Sequence, residues 1–407
     1  MCDDELIPPR PDMTEDEWLR SEDAPDLAPY AGTAAPSGAA GQDAPALLNR
    51  RTLLGGVAAG AALAGLSGGV LSPSPARAAD GKFPLPQQPG PDGEFAVLVT
   101  GDAGTGDEAQ YAVAAAARKL MRSEGIGLAV GLGDNIYENG PESDRDSEFQ
   151  DKFEKPNSGI DVPWLMLLGN HDCSGLIPGT GGDPSRGDRE VAYAKHSRRW
   201  YMPARYYSVA LPSGADGDPL VEFFALDTIP VTSYVVQTDP HYQWDGPYMR
   251  EQRAWLDRAL SESRAQWKIV LGHHPYVNNG KHGSAGSYDG FTVGHYTSGI
   301  HLKELYEEVV CGRADLIFSG HDHTLQILEP TAESKGTRQV VCGAAAKSGD
   351  GKAHGDHPSA WQDFAAHGFM VLKVSPRGMS LDAYTVDVAT RTARKAHTLR
   401  ARTPVHA

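Results

Sequence analysis

Residues 127–140 read GLAVGLGDNIYENG. A run of small apolar residues closes in Gly131-Leu132-Gly133, the carboxylate of Asp134 follows at once, and the phenol of Tyr137 comes three residues later. A short apolar run bounded by glycine reads as a strand buried on both faces, the kind found inside a parallel sheet with helices over it. Ligands of α/β sheets gather outside the carboxyl ends of such strands. A Gly-Asp pair after a strand is by itself most often a turn. What Asp134 and Tyr137 do therefore depends on what stands at the ends of the other strands.

Working outward, FAVLVT (95–100), VPWLMLLG (162–169), LVEFFALD (220–227), WKIVLG (267–272) and ADLIFSG (314–320) repeat the strand pattern. Between them, DEAQYAVAAAARKLMRSEG (107–125), VAYAKHSRRWY (191–201), REQRAWLDRALSESR (250–264) and GIHLKELYEEVV (299–310) have helical periodicity. Strands alternating with helices predict α/β layering. RQVVCGA (338–344), GFMVLKVS (368–375) and MSLDAYTVD (379–387) read as consecutive strands with no helix between them. The expectation is one domain over residues 95–400 with two packed sheets, preceded by a Pro/Gly linker over 79–94.

Five strand ends carry ligand-type side chains after a glycine. They supply Asp102 from LVTGDAG, Asp134 and Tyr137 from GLGDNIY, and Asn170, His171 and Asp172 from LLGNHD. VLGHHP adds His273 and His274, and IFSGHDH adds His321 and His323. Carboxylates, an amide oxygen and imidazoles together suit Fe, Mn or Zn and are too rich in histidine for calcium. Carboxylates can bridge, and the supply is enough for two ions. Paired metals suit phosphoryl chemistry. The chain has no Gly-rich loop ending in Lys-Ser/Thr and no GxGxxG opening a helix after a strand, so a P-loop or dinucleotide site is excluded.

In this order the motifs GD-x-G, GD-x-x-Y, GNH-D, GH-H and GH-x-H resemble the calcineurin-like metallophosphoesterase superfamily. The tyrosine makes the chain most similar to purple acid phosphatases of the small, tartrate-resistant type. The resemblance implies a four-layer α/β/β/α sandwich of two mixed β-sheets with a dinuclear metal site at the strand carboxyl ends. It implies Fe(III) held by Asp102, Tyr137 and His323, and a divalent ion (Fe, Zn or Mn) held by Asn170, His273 and His321. Asp134 would bridge the two. The Gly272-His273-His274 doublet leaves His274 open as an alternative to His273. The resemblance also makes His171 and His282 the substrate-facing histidines, either as proton donors or as phosphate ligands. His282 lies on a Gly-rich loop expected to be mobile, and Asp172 is expected to orient His171 or a water. Unlike the mammalian enzymes, the chain has no cysteine for their disulfide loop, and LIPGTGGDPSRGDRE (176–190) is a longer insertion.

Residues 1–46 hold eleven Asp/Glu against two Arg and are rich in Pro, Ala and Gly, a composition expected to be disordered. Residues 47–78 place Arg50-Arg51 before a small-residue apolar run and end in Ala76-Arg77-Ala78, the form of a twin-arginine signal with an A-x-A cleavage site. The competing reading is a membrane anchor. The chain carries a net charge of −16, unsuited to binding nucleic acid or anionic lipid in general. Cys173, Cys311 and Cys342, the three cysteines after the signal, are too few for a disulfide scaffold and are expected to be small buried residues.

Two functions follow in order of weight. The first is an exported acid phosphatase hydrolysing small phosphate monoesters, by in-line attack of a metal-activated hydroxide, with membrane contact only during export. The second is a phosphodiesterase of the same superfamily. A non-catalytic metal- or phosphate-binding protein is a third reading, disfavoured because every ligand of the pattern is present.

Overall fold

The computed structural model describes residues 82–90, 93–212, 217–233, 238–290 and 297–406. The expected acidic segment, the twin-arginine segment and the start of the linker lie outside the described residues. No helix among the described residues is long and apolar enough to cross a membrane.

Two mixed seven-stranded sheets form the body of the fold. The first has at its centre β1 (Phe95–Thr100) and β2 (Ile126–Gly131). β3 (Trp164–Met166) and β4 (Trp200–Tyr201) continue it in parallel. On the other side of β1 lie the antiparallel strands β12 (His367–Ser375), β13 (Gly378–Asp387) and β14 (Thr392–Ala401). The second sheet is centred on β7 (Trp267–Leu271), β8 (Leu316–Ser319) and β10 (Arg338–Cys342), with β6 (Val221–Ala225) beyond β7; neighbours among these four are parallel. β5 (Tyr207–Leu211) closes one edge, and β9 (Leu325–Leu328) and β11 (Ser359–Asp363) close the other, all antiparallel to their neighbours.

One apolar core joins the two sheets: Val97, Leu98 and Val371 of the first pack in the same cluster as Phe318, Ile327 and Val340 of the second. Helix α1 (Glu108–Leu120) packs on β12, β13 and β14. Ala112 and the run Ala114 to Ala117 are buried, Asp107 caps the helix by accepting from Gln110 N, and Arg118 and Lys119 sit in its last turn, where the helix dipole favours cations. On the far side of the second sheet, α3 (Pro247–Glu262) and α4 (Ile300–Leu305) bury Leu256, Leu260, Leu302 and Leu305 against Phe224, Val270 and Ile317. The layers are thus α/β/β/α, as the resemblance implied.

Helix α2 (Pro184–Tyr193) corrects one expectation, because a helix was read over 191–201. Asp183 caps α2 from Ser185 N and Pro184 opens it, so the helix begins inside the glycine-rich insertion of residues 176–190. Residues 200–201 pair with β3 instead. The segment 82–90 lies against this edge, with Phe83 N donating to Arg198 O and the Arg198 guanidinium over the Phe83 ring. The fold also runs past residue 400: β14 ends at Ala401, and Val405 N donates to the Asp315 carboxylate. Cys173, Cys311 and Cys342 are free and buried.

Candidate metal centre

The carboxyl ends of β1, β2, β3, β7 and β8 meet at one end of the two sheets. Backbone bonds hold the loops together: Asp102 N donates to Gly133 O, and Gly320 N to His273 O. Asp102, Asp134 and His321 all adopt positive φ, at 55°, 52° and 66°. Non-glycine residues pay for this conformation, and it clusters where surrounding structure fixes a functional geometry. Each of these residues turns the chain sharply off its strand so that its side chain faces inward. Gly169 shows how tight the assembly is: a Cβ there would lie 2.1 Å from Asp134 Oδ1.

Two groups of donors form around Asp134. The Tyr137 hydroxyl is 3.2 Å from both Asp102 Oδ1 and His323 Nε2. Asn170 Oδ1 is 2.9 Å from His273 Nε2 and 3.1 Å from His321 Nδ1. Asp134 Oδ1 lies 3.5 Å from His273 Nε2, and donor atoms of Asp102, Asp134 and His273 all lie within 4.8 Å of one another. All seven side chains proposed as ligands from the sequence are therefore brought together.

The donor chemistry fits bound cations. His273 Nδ1 donates to Leu132 O at 2.8 Å, which leaves a lone pair on Nε2, and burial holds the imidazole below its ordinary pKa and neutral. The Asn170 amide nitrogen is committed to Gly179 O at 2.8 Å. The 2.9 Å contact between His273 Nε2 and Asn170 Oδ1 thus brings together two acceptors, an arrangement that a shared cation resolves. At the other group, burial first and then the charges of Asp102 and Asp134 hold the Tyr137 phenol well above its ordinary range. Burial and Asp134 likewise raise the Asp102 carboxyl. Cations between these groups reverse that balance.

Around the donors stand the two histidines read as substrate-facing. His171 is buried, with Nδ1 2.6 Å from Glu138 O and its backbone N donating to Asp134 Oδ1 at 3.0 Å. His282 Nδ1 lies 2.8 Å from Asp289 Oδ1, and its ring centroid is 4.5 Å from that of His321. Burial disfavours the charge on His282, but Asp289 and Asp322 outweigh it and raise its pKa. His274 Nδ1 is taken up by Thr228 Oγ1 at 2.8 Å. His274 shares a cluster with His273 and His321, but it is His273 that reaches both Asn170 and Asp134.

One expectation is corrected here. Asp172 does not orient His171: its carboxylate accepts from the backbone N–H groups of Asn135 (2.7 Å), Ile136 (2.9 Å) and Gly169 (2.8 Å), fastening the β2 and β3 loops together. Its Oδ2 also accepts from Asn135 Nδ2 at 3.1 Å, so the carboxylate is taken up by buried donors that would otherwise lack partners. The loop of His282 is tied to the turn after β8 by hydrogen bonds from Asn278 Nδ2 and His282 N to the Asp322 carboxylate. Lys347 was missed from the sequence. Its ammonium lies 3.8 Å from the Tyr137 ring centroid and 3.5 Å from Glu138 Oε1. Glu190 was missed as well; it is fully buried and accepts from Asn135 Nδ2 at 3.0 Å. Neither belongs to a strand-end motif that could have marked it.

Residues 95–325 match the family described as calcineurin-like phosphoesterase. The chain belongs to that family. Among curated relatives, purple acid phosphatase 4 of Arabidopsis thaliana is 30% identical over 309 residues, which cover 73% of this chain and 82% of that protein. Tartrate-resistant acid phosphatase type 5 of Sus scrofa is 26% identical over 67% of this chain and 76% of its own length. This calcineurin-like phosphoesterase is thus a metallophosphoesterase of the purple acid phosphatase group, for which a dinuclear metal centre is implied. A solved structure of GAP50, the anchor in the inner membrane complex of Plasmodium, is similar with a TM-score of 0.57 at 17% identity, over 76% of this chain and 89% of that one. At that identity the likeness speaks for the fold alone.

Proposed function

We propose that this phosphoesterase hydrolyses small phosphate monoesters outside the cytoplasm. In this reading Asp102, Tyr137 and His323 hold Fe(III), Asn170, His273 and His321 hold a divalent Fe, Zn or Mn ion, and Asp134 bridges them. The observation that carries it is the pair of donor groups on either side of Asp134, with acceptor facing acceptor between Asn170 and His273. A buried phenol among carboxylates is a hard anionic donor once deprotonated, and that favours a trivalent ion.

When bound, the two ions supply Lewis acidity for water activation and for the charge on the phosphoryl oxygens. The protein's own groups do the rest. Glu138 O accepts from His171 Nδ1 and fixes the ring, so that Nε2–H of the doubly protonated ring is the group left to donate to a phosphate oxygen. Asp289 holds the His282 ring through Nδ1 in the same way, so a proton on His282 Nε2 can pass to the departing alkoxide. A monoester dianion offers three non-bridging oxygens to this set, whereas a diester offers two and adds a second alcohol to be housed.

The test is hydrolysis of p-nitrophenyl phosphate and of bis(p-nitrophenyl) phosphate by the purified, metal-loaded protein. A higher kcat/KM on the monoester is expected. A preference for the diester selects the phosphodiesterase reading, and no turnover of either overturns both. Export is supported by Arg50, Arg51 and the Ala-Arg-Ala site alone. Replacing both arginines with lysine is expected to retain the precursor in the cytoplasm, while unimpaired release of a chain starting at Ala79 speaks for another route.

A further inference from the structure

The loop that carries His282, NNGKHGSAG (278–286), looks mobile from its glycines, yet it is among the most heavily fastened segments near the centre. Asp322 stands between His321 and His323 and is buried, 2% exposed. Its carboxylate accepts from His282 N at 2.9 Å and from Asn278 Nδ2 at 2.6 Å. Asn278 Oδ1 in turn accepts from Gly280 N at 2.8 Å and from Gln326 Nε2 at 2.7 Å, and Gln326 Oε1 accepts from Asn279 N at 2.9 Å. The approach is so close that a Cβ on Gly280 would lie 2.1 Å from Asp322 Oδ1, so glycine here serves contact and not flexibility. On the other side of the ring, Asp289 Oδ1 lies 2.8 Å from His282 Nδ1, Asp289 N donates to His282 O at 3.0 Å, and Asp289 is held at a φ of 52°.

We propose that Asp322 and Asp289 are positioning residues that together make His282 a fixed proton donor, Asp322 by gripping the loop backbone and Asp289 by gripping the ring at Nδ1. Asp322 belongs to the same turn as His321 and His323, so the grip ties the proton donor directly to the segment that carries two metal-ligating groups. The imidazole is then placed relative to the centre by a chain of hydrogen bonds, buried around Asn278, Asn279 and Gln326 and part-buried at His282 N. A donor fixed in this way needs no reorganisation at the moment of transfer, which is where positioned acid catalysis gains its rate. Asp289 accepts from Nδ1–H of the cationic ring, whose second proton on Nε2 is the one donated, and directs Nε2 away from itself.

The inference rests on the reading of His282 as proton donor to the leaving group, and the experiment separates the two. Metal-loaded wild type, Asp289→Asn, Asp322→Asn and His282→Ala, with the two Asp/His282→Ala doubles, are assayed on an alkyl phosphate and on p-nitrophenyl phosphate. Metal content is counted in each. The Asn variants are expected to slow the alkyl ester by about tenfold or more, and the nitrophenyl ester, whose leaving group needs little protonation, by much less. Neither aspartate change should slow the alkyl ester further once His282 is alanine, and two ions per chain should remain. If His282→Ala slows both esters equally, its role as proton donor fails and the inference falls with it. If His282→Ala shows the leaving-group signature but the aspartate variants do not, or the doubles are additive, the positioning roles are overturned. Loss of metal in Asp322→Asn would assign Asp322 to His321 and His323 instead, and Asp289, whose side chain is 40% exposed, still tests the grip on the ring without risk to the fold.

Discussion

Replacing Gly169 with alanine probes how closely the loops are built around the proposed bridge. The new Cβ would lie 2.1 Å from Asp134 Oδ1 and 2.3 Å from Asp134 N, where real Cβ contacts stay beyond 3.0 Å. Asp134 must therefore retreat by close to 1 Å. It has little freedom to do so, because Asn135 N and Ile136 N are both locked onto Asp172 and Gly104 N donates to Asp134 O. Metal–carboxylate bonds of about 2.0–2.2 Å tolerate errors of about 0.2 Å, so a retreat of that size breaks a shared carboxylate bridge. Overpacking should also cost the metal-free protein about 1–3 kcal/mol. Elemental analysis after reconstitution and thermal unfolding of the metal-free form read the two effects. Gly127→Ala is the control: its Cβ meets only Pro86, at 3.7 Å, and both ions and stability should be kept. Two tightly held ions per chain in Gly169→Ala would refute the placement of Asp134 between them.

Two further outcomes are expected. In the metal-free protein, burial and the charge of Asp134 raise the carboxyl of Asp172 to about 7, and burial and Asp172 raise that of Glu190. From about pH 4 to about pH 7 these two carboxyls thus hold protons in the folded state that the unfolded state has released, so their own contribution to stability falls as pH rises, by up to about 1.4 kcal/mol per pH unit for each, while the buried neutral His273, His274, His321 and His323 contribute in the opposite direction. Urea unfolding of the wild type and Glu190→Gln at both ends of that window isolates the carboxyl: the stability of the wild type relative to the variant should fall toward the upper end, and a relative stability that rises contradicts it. Lys347→Met removes a cation that lies 3.8 Å from the Tyr137 ring centroid. A cation there stabilises the phenolate electrons, so its removal should move a phenolate-to-iron absorption band to longer wavelength; an unmoved band means the ammonium does not act on the ring.

The central strands were legible because they are buried on both faces: FAVLVT and WKIVL have no exposed residue, and burial on both sides writes a continuous apolar run into a sequence. The ligand-type residues were legible for a related reason, since each follows such a run at a fixed offset. β14 was not, because Thr392–Ala401 is an edge strand of intermediate and exposed residues with Arg, Lys and His among them, so neither alternation nor an apolar run marks it. The start of α2 was hidden by its glycines although Asp183-Pro184 is a strong opening signal. The roles of Asp172, Asp322 and Lys347 depend on partners 35 or more residues away in the chain, such as Ile136, His282 and Glu138. A motif names such a residue without saying which way its side chain turns. The fastening of the Gly-rich loop of His282 was hidden for the same reason: it comes from Asp322 and Gln326, far away in sequence.

The most direct measurement joins metal counting with visible absorption on the wild type and on Tyr137→Phe. The Tyr137 ring is 2% exposed and phenylalanine keeps its packing, so the variant should fold while losing only the hydroxyl that stands 3.2 Å from Asp102 and His323. The expected result is two ions per wild-type chain, one of them ferric, with a broad visible band that is absent from Tyr137→Phe. A wild type that binds fewer than two ions, or an iron-loaded Tyr137→Phe that keeps the band, would contradict a tyrosinate-bearing dinuclear centre.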